Sequence, residues 1–138
     1  MIVELRPGCA DDLASIGQIQ AASPEASQWD VSDYLNYDLT VAVCDGRVAG
    51  FAVARRLAED ESELLNLAVD PAFRRCGIAR RLVAQLTSGH PGTLWLEVRE
   101  SNIAAQKLYK SLGFREAARR SGYYRGSGES AIVMNVHS

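Results

Sequence analysis

The chain has 138 residues, 47% hydrophobic and 23% charged, with 15 Lys+Arg against 17 Asp+Glu for a net charge of −2. That size and balance describe one soluble globular domain with a real core. They argue against general nucleic-acid affinity, which shows a basic surplus, and no apolar run approaches the ~20 residues of a membrane span. The first six residues lack signal-peptide architecture. Cys9, Cys44 and Cys76 are an odd count without Cys-x-x-Cys spacing, which fits free thiols in a reducing cytoplasm. His90 and His137 are too isolated to suggest zinc, so no metal is expected.

In chain order, residues 2–5 read as a short strand stopped by Pro7-Gly8. Asp11 or Asp12 caps a helix to about Ala22, with Leu13, Ile16, Ile19 and Gln20 on one side. Ser23-Pro24-Glu25 breaks the chain. Residues 29–37 predict a second short helix with Tyr34 and Leu35 inward; aromatics at this spacing are core by default, and the alternative is a loop–helix pair that walls a substrate cleft. Residues 39–44 and 47–55 are strands joined by Asp45-Gly46, the strongest hairpin signal in the chain. An acidic turn over 58–62 leads to a strand at 63–69, apolar except for Asn66 and ended by Asp70-Pro71. A helix over 77–87 carries Ile78, Leu82, Val83 and Leu86 on one face. After the breakers at 88–92, residues 93–99 form a strand parallel to the 63–69 strand if the helix between them crosses right-handedly. Ser101 caps a helix over 102–112, with Ala105, Leu108, Tyr109 and Leu112 on one face and Gly113 at the left-handed C′ position. Strands 114–124 and 131–136 flank Gly126-Ser127-Gly128. The order β-α-α-β-β-β-α-β-α-β-β predicts an α/β fold: one domain over 1–138, a mixed sheet with helices on both faces.

Two stretches carry chemistry. Arg74, Arg75, Arg80 and Arg81 crowd the start of the 77–87 helix, where the macrodipole already favours anions over cations. Guanidinium forks with free helix amides suit a phosphate or pyrophosphate; the alternative is a solvated basic turn. The second is Glu97, a carboxylate inside an otherwise apolar strand. Period two places Trp95, Glu97 and Arg99 on one face. The residues alone leave open a Glu97–Arg99 neighbour pair or a functional carboxylate. By default Asn102 is a helix-cap amide, and Tyr109 a core ring with a wet hydroxyl.

Arg74-Arg75-Cys76-Gly77-Ile78-Ala79 resembles the (Gln/Arg)-x-x-Gly-x-(Gly/Ala) loop of the GCN5-related N-acetyltransferases, the GNAT superfamily. Residues 94–102 and 108–114 resemble its RimI branch, the ribosomal-protein-alanine N-acetyltransferases, and Leu67-Ala68-Val69-Asp70-Pro71 matches that branch's fourth strand. The likeness covers roughly residues 63–136 and is weak before them, apart from Trp29. It implies a mostly antiparallel sheet with splayed central parallel strands, and acetyl-CoA as cosubstrate. It places the pantetheine arm on backbone at Leu67, Ala68 and Val69. It places the pyrophosphate at the loop of Arg74, Arg75, Cys76, Gly77, Ile78, Ala79 and Arg80, and gives Asn102 a cofactor contact. Glu97 matches the general base and Tyr109 the general acid for direct attack by an amine. The implied acceptor is a protein N-terminal α-amine, as of a ribosomal protein. Gln28-Trp29-Asp30, Gly122 and a short 125–128 turn depart from the branch where the acceptor would be shaped. A small-molecule amine or lysine therefore stands as the alternative acceptor. Two other readings are a non-catalytic acyl-CoA-binding module and a thiol enzyme using Cys76. Both Glu97 and Tyr109 are retained, against the first; no histidine is placed as a base, against the second.

Overall fold

The computed structural model describes residues 2–24, 26–124 and 126–137. Glu25, in the expected break, and Arg125, in the expected short turn, lie outside the described residues. The strands are β1 (Val3–Pro7), β2 (Asp38–Cys44), β3 (Arg47–Ala58), β4 (Glu61–Val69), β5 (Thr93–Arg99), β6 (Arg115–Tyr124) and β7 (Glu129–His137). The α-helices are α1 (Leu13–Ala21), α2 (Ile78–Gly89) and α3 (Ile103–Ser111). Hydrogen bonding orders the seven strands β1-β2-β3-β4-β5-β7-β6, with β4–β5 parallel. The predicted element order and mixed sheet are therefore observed. The chain divides into two compact units: residues 1–55 with 65–86, and residues 56–64 with 87–138.

In the first unit, β2 pairs antiparallel with β1 and with β3. The β2–β3 turn is Asp45-Gly46, both left-handed at φ 52° and 77°, as a type I′ hairpin requires. Ile16 and Ile19 of α1 and the buried Tyr34 form one core cluster with Leu39, Val41, Phe51, Val53 and Ala68. Gly50 faces oppositely to Phe51, because strand residues alternate. A Cβ at Gly50 would meet Ile78 of α2 at 3.2 Å and the Ala68 carbonyl at 3.1 Å. Helices thus cover both faces of this half of the sheet.

The expected second helix is a 3₁₀ segment, Val31–Asn36. Tyr34 points inward as expected, but Leu35 is 45% exposed. Neighbours on a three-residue turn lie about 120° apart, so both cannot face one core. Asp12 also differs from expectation: its carboxylate does not cap α1. It accepts the Cys9 N–H at 2.9 Å and both forks of Arg6 at 2.8 Å.

The Arg6 fork holds the Asp12 carboxyl well below the usual carboxylate range, at about 2. A depressed folded pKa contributes stability above the unfolded value, and that stability is lost as pH falls through the folded value. Arg6 is half-exposed, so screening reduces the pair to about 1 kcal/mol. Denaturant titrations should show wild type losing this increment between roughly pH 4 and pH 2, and Asp12→Asn, already weaker at pH 7, losing far less across that window.

In the second unit, the start of β4 pairs parallel with β5 over four pairs, Glu61↔Thr93 to Leu64↔Leu96. β5 then pairs antiparallel with β7 along its length, and β7 with the exposed edge strand β6. The loop before β5 closely approaches Asp60 in the turn before β4, with the Thr93 N–H donating to the Asp60 carbonyl at 2.8 Å. Gly92 sits at φ 100°, and a Cβ there would lie 2.0 Å from the Asp60 carbonyl oxygen; only glycine permits that approach. α2 runs through Gly89, two residues beyond expectation. α3 is capped by Asn102, whose Oδ1 accepts the Ala105 N–H at 3.1 Å, and not by Ser101. The Ser101 N–H is instead taken by the Glu129 carboxylate at 2.8 Å.

Candidate active site

The first unit holds the loop before α2. Asp70 ends β4 by donating its N–H to the Ala49 carbonyl at 2.7 Å, and its side chain caps the following 3₁₀ turn at Ala72. The chain then enters two left-handed residues, Arg75 at φ 64° and Gly77 at φ 75°. A non-glycine residue at positive φ costs on the order of 1–3 kcal/mol and persists where the surroundings demand it. Arg74, Arg75, Cys76 and Gly77 are exposed, while Ile78 is buried and anchors the first turn of α2. Its chain neighbours aside, a Cβ at Gly77 would meet nothing within 4 Å among the described residues, so the backbone here faces open space.

The first N–H groups of a helix have no partner within it. Successive amides at a left-handed turn form an anion-binding concavity. With exposed guanidinium groups around it, this loop fits a pyrophosphate. Arg81 stands apart from that set, because its guanidinium donates to the Val3 carbonyl at 2.7 Å and holds α2 to β1. Cys76 Sγ lies 3.5 Å from the Arg74 carbonyl oxygen, a contact that supplies no base for thiol chemistry.

Upstream of the loop, β4 carries a feature that the sequence shows only as an interruption. Asn66 is 5% exposed. Its Oδ1 accepts the N–H of Leu67 at 3.0 Å and of Ser27 at 3.3 Å. Its Nδ2 reaches the Ser27 carbonyl at 2.9 Å, Tyr34 Oη at 2.9 Å and Gln20 Oε1 at 3.2 Å. The Leu67 N–H is thus already engaged; the Asp70 N–H donates to Ala49 of β3, so by alternation the Val69 N–H faces away from β3 and is this stretch's candidate donor.

The second unit holds Glu97 and Tyr109. Leu94, Leu96 and Val98 are buried, so Trp95, Glu97 and Arg99 share the other face, as period two predicts. Of the two readings left open for Glu97, the Glu97–Arg99 neighbour pair does not form. Glu97 Oε1 lies 3.2 Å from Arg120 of β6. Arg99 pairs with Glu129 at 3.3 Å, and its guanidinium lies 3.9 Å above the Tyr124 ring. Strand neighbours point along the same face but are held by cross-strand partners, which sequence spacing alone does not reveal. The Glu97 side chain remains 23% exposed, and a pair with a half-exposed arginine is worth about 0–1 kcal/mol. Its carboxylate can exchange that partner at little cost.

Tyr109 is 7% exposed, with its ring edge-on to Phe114 at 5.5 Å between centroids. Burial pushes the phenol's pKa far up. Burial thus favours the protonated hydroxyl over the phenolate.

Residues 11–114 match the model of the acetyltransferase (GNAT) family. The [ribosomal protein bS18]-alanine N-acetyltransferase of Escherichia coli K12 is 45% identical over 73% of this chain and 70% of its own length. The Haemophilus ducreyi enzyme of the same description is 43% identical over 75% of this chain and 74% of its own. The crystal structure of the E. coli S18-alanine N-acetyltransferase superposes with a TM-score of 0.81 at 34% identity, covering 98% of this chain and 93% of that one. Ard1 from Thermoplasma volcanium superposes at 0.88 with 26% identity, covering 99% and 97%. The chain belongs to the acetyltransferase (GNAT) family: it is an N-acetyltransferase whose acetyl donor is acetyl-CoA.

Proposed function

We propose that the acceptor is the N-terminal α-amine of a protein, with a ribosomal protein beginning in alanine favoured, and that the reaction takes place in the cytoplasm. The identity of 43–47% to bS18-alanine N-acetyltransferases over about three quarters of the chain carries this reading. The family match crosses both compact units, and β3 and β4 each pass from one to the other. We take residues 1–138 to act as one catalytic domain.

Acetyl-CoA, when bound, supplies an acetyl thioester. The loop of Arg74, Arg75, Cys76, Gly77, Ile78, Ala79 and Arg80 holds its pyrophosphate through amides and guanidinium groups. The backbone of Leu67, Ala68 and Val69 lines the pantetheine arm. Leu67 contributes its carbonyl, since Asn66 takes its N–H; Val69, two residues on and facing the same edge of β4, offers an N–H donor to the arm. The Asn102 amide, whose Oδ1 caps α3, has Nδ2 left to offer the cofactor.

An α-amine is largely protonated near neutral pH and must lose a proton before it attacks. Glu97 takes that proton, directly or through one water, as Arg120 moves aside. Tyr109 donates its hydroxyl proton to the departing thiolate. The new C–N bond forms as the C–S bond breaks, with no acyl-enzyme.

The test is acetyl transfer by the purified protein to three acceptor sets: peptides with different free N-termini, N-terminally blocked peptides containing lysine, and small amines. Alanine-first peptides should give the highest kcat/KM. A higher kcat/KM on blocked lysine peptides or small amines would overturn the acceptor assignment.

A further inference from the structure

The described residues between α1 and the 3₁₀ helix have no regular secondary structure, yet side-chain amides hold them in place. Gln28 Nε2 donates to the carbonyls of Gln20, Ser23 and Ala26 at 2.9–3.1 Å. Gln20 Nε2 donates to the Trp29 carbonyl at 2.6 Å. Asn66 takes both the N–H and the carbonyl of Ser27, at 3.3 and 2.9 Å. Backbone groups that would otherwise be solvated are thus paired to side chains, which removes alternative loop conformations. The segment carries Trp29, a large aromatic 46% exposed.

Its placement follows from strand direction. The phosphate loop lies at the C-terminal end of β4, so a donor running along Leu67, Ala68 and Val69 has its thioester end toward the N-terminal side. The next residue in that direction is Asn66, which grips Ser27. The braced segment therefore stands at the acetyl end of the donor path. From Asn66 one side chain reaches both the β4 backbone, through the Leu67 N–H, and the 23–29 segment.

We infer that Asn66, with Gln20 and Gln28, is a positioning residue for the acceptor: it fixes Trp29 and its segment as a preformed surface for the first residues of an incoming peptide. A preformed loop spares the ordering cost that a mobile one imposes on binding. A rigid aromatic adds contact area at low conformational cost. The inference rests on the N-terminal acceptor proposed above.

The experiment measures KM for an alanine-first peptide, KM for acetyl-CoA, and CoA affinity by calorimetry, in wild type, Gln28→Ala, Asn66→Ala and Trp29→Ala. Gln28 is exposed, so its variant folds even if Asn66→Ala does not. Gln28→Ala and Trp29→Ala should raise the peptide KM about 5- to 20-fold, a loss of roughly 1–2 kcal/mol, with CoA affinity within about 2-fold of wild type. Asn66→Ala should raise the peptide KM further. Amide exchange across residues 26–29 should quicken in Gln28→Ala before any ligand is added. An unchanged peptide KM in Gln28→Ala and Trp29→Ala, with wild-type transfer intact, overturns this inference alone. No transfer to the peptide by wild type, with transfer to a small amine in the same assay, overturns the acceptor reading and this inference with it.

Discussion

Glu97→Gln should lower kcat on the order of 10²–10⁴-fold, the range for one positioned acid–base group. The substitution keeps the size and the hydrogen bonding of the side chain while removing the proton acceptor. It also leaves the buried face of β5, Leu94, Leu96 and Val98, untouched. Among the described residues the partner disturbed is Arg120, in a surface pair worth about 0–1 kcal/mol, so a stability loss large enough to lower turnover is not expected. Tyr109→Phe should lower kcat over the same range, because the ring packing against Phe114 survives and only the proton donor is lost. CoA affinity should change little in either variant, since neither residue is assigned to the phosphates. The competing account makes Glu97 half of a surface pair and Tyr109 a core ring. It predicts normal turnover in both variants, and steady-state kinetics on the best acceptor decides between the two.

Element types and order were legible because each was written in local pattern. Alternation over residues 93–99 gave β5 with its boundaries, and the Asp45-Gly46 pair gave the hairpin with both residues left-handed. The loop proposed to hold the donor has a signal of the same one-dimensional kind, a glycine among arginines at a helix start. Partners were not legible. Glu97 meets Arg120 across an intervening strand, through β7, and nothing in the spacing of residues 97 and 120 sets that register. Asn66 read as an interruption in an apolar strand because its five side-chain contacts come from Gln20, Ser27, Tyr34 and its own successor, up to 46 residues away. A signal was present in retrospect. Asn66 is one polar residue in an apolar strand, and Gln20 another in an apolar helix stripe; burial without partners is costly for both, so each implied a partner. The capping error at Ser101 has a local cause. Ser101 and Asn102 both suit an N-cap, and Glu129, remote in sequence, takes the Ser101 N–H.

Gly77→Val should weaken CoA binding at least ~100-fold, equivalent to losing two charge-assisted hydrogen bonds at roughly 1.5–3 kcal/mol each. Two effects act in the same direction. Gly77 has a left-handed backbone at φ 75°, and a β-branched residue there is strained by at least about 1–2 kcal/mol. That strain shifts the amides proposed to face the pyrophosphate. The added side chain also enters the open space beside the backbone, where, chain neighbours aside, no atom of the described residues lies within 4 Å of the Cβ position and where the proposed phosphate site lies. Strain alone would lower Tm, so calorimetry is done well below the transition, with Gly77→Ala as the variant that shares the backbone strain but adds only one methyl group. A donor without phosphates separates the two effects. The thioester of acetate with N-acetylcysteamine has no pyrophosphate to place, so Gly77→Val should transfer from it at the wild-type rate while losing transfer at low acetyl-CoA concentration. Wild-type CoA affinity in the folded Gly77→Val protein would remove the 74–80 loop from the cofactor site, and an equal loss with both donors would show that the substitution acts on the fold and not on phosphate recognition.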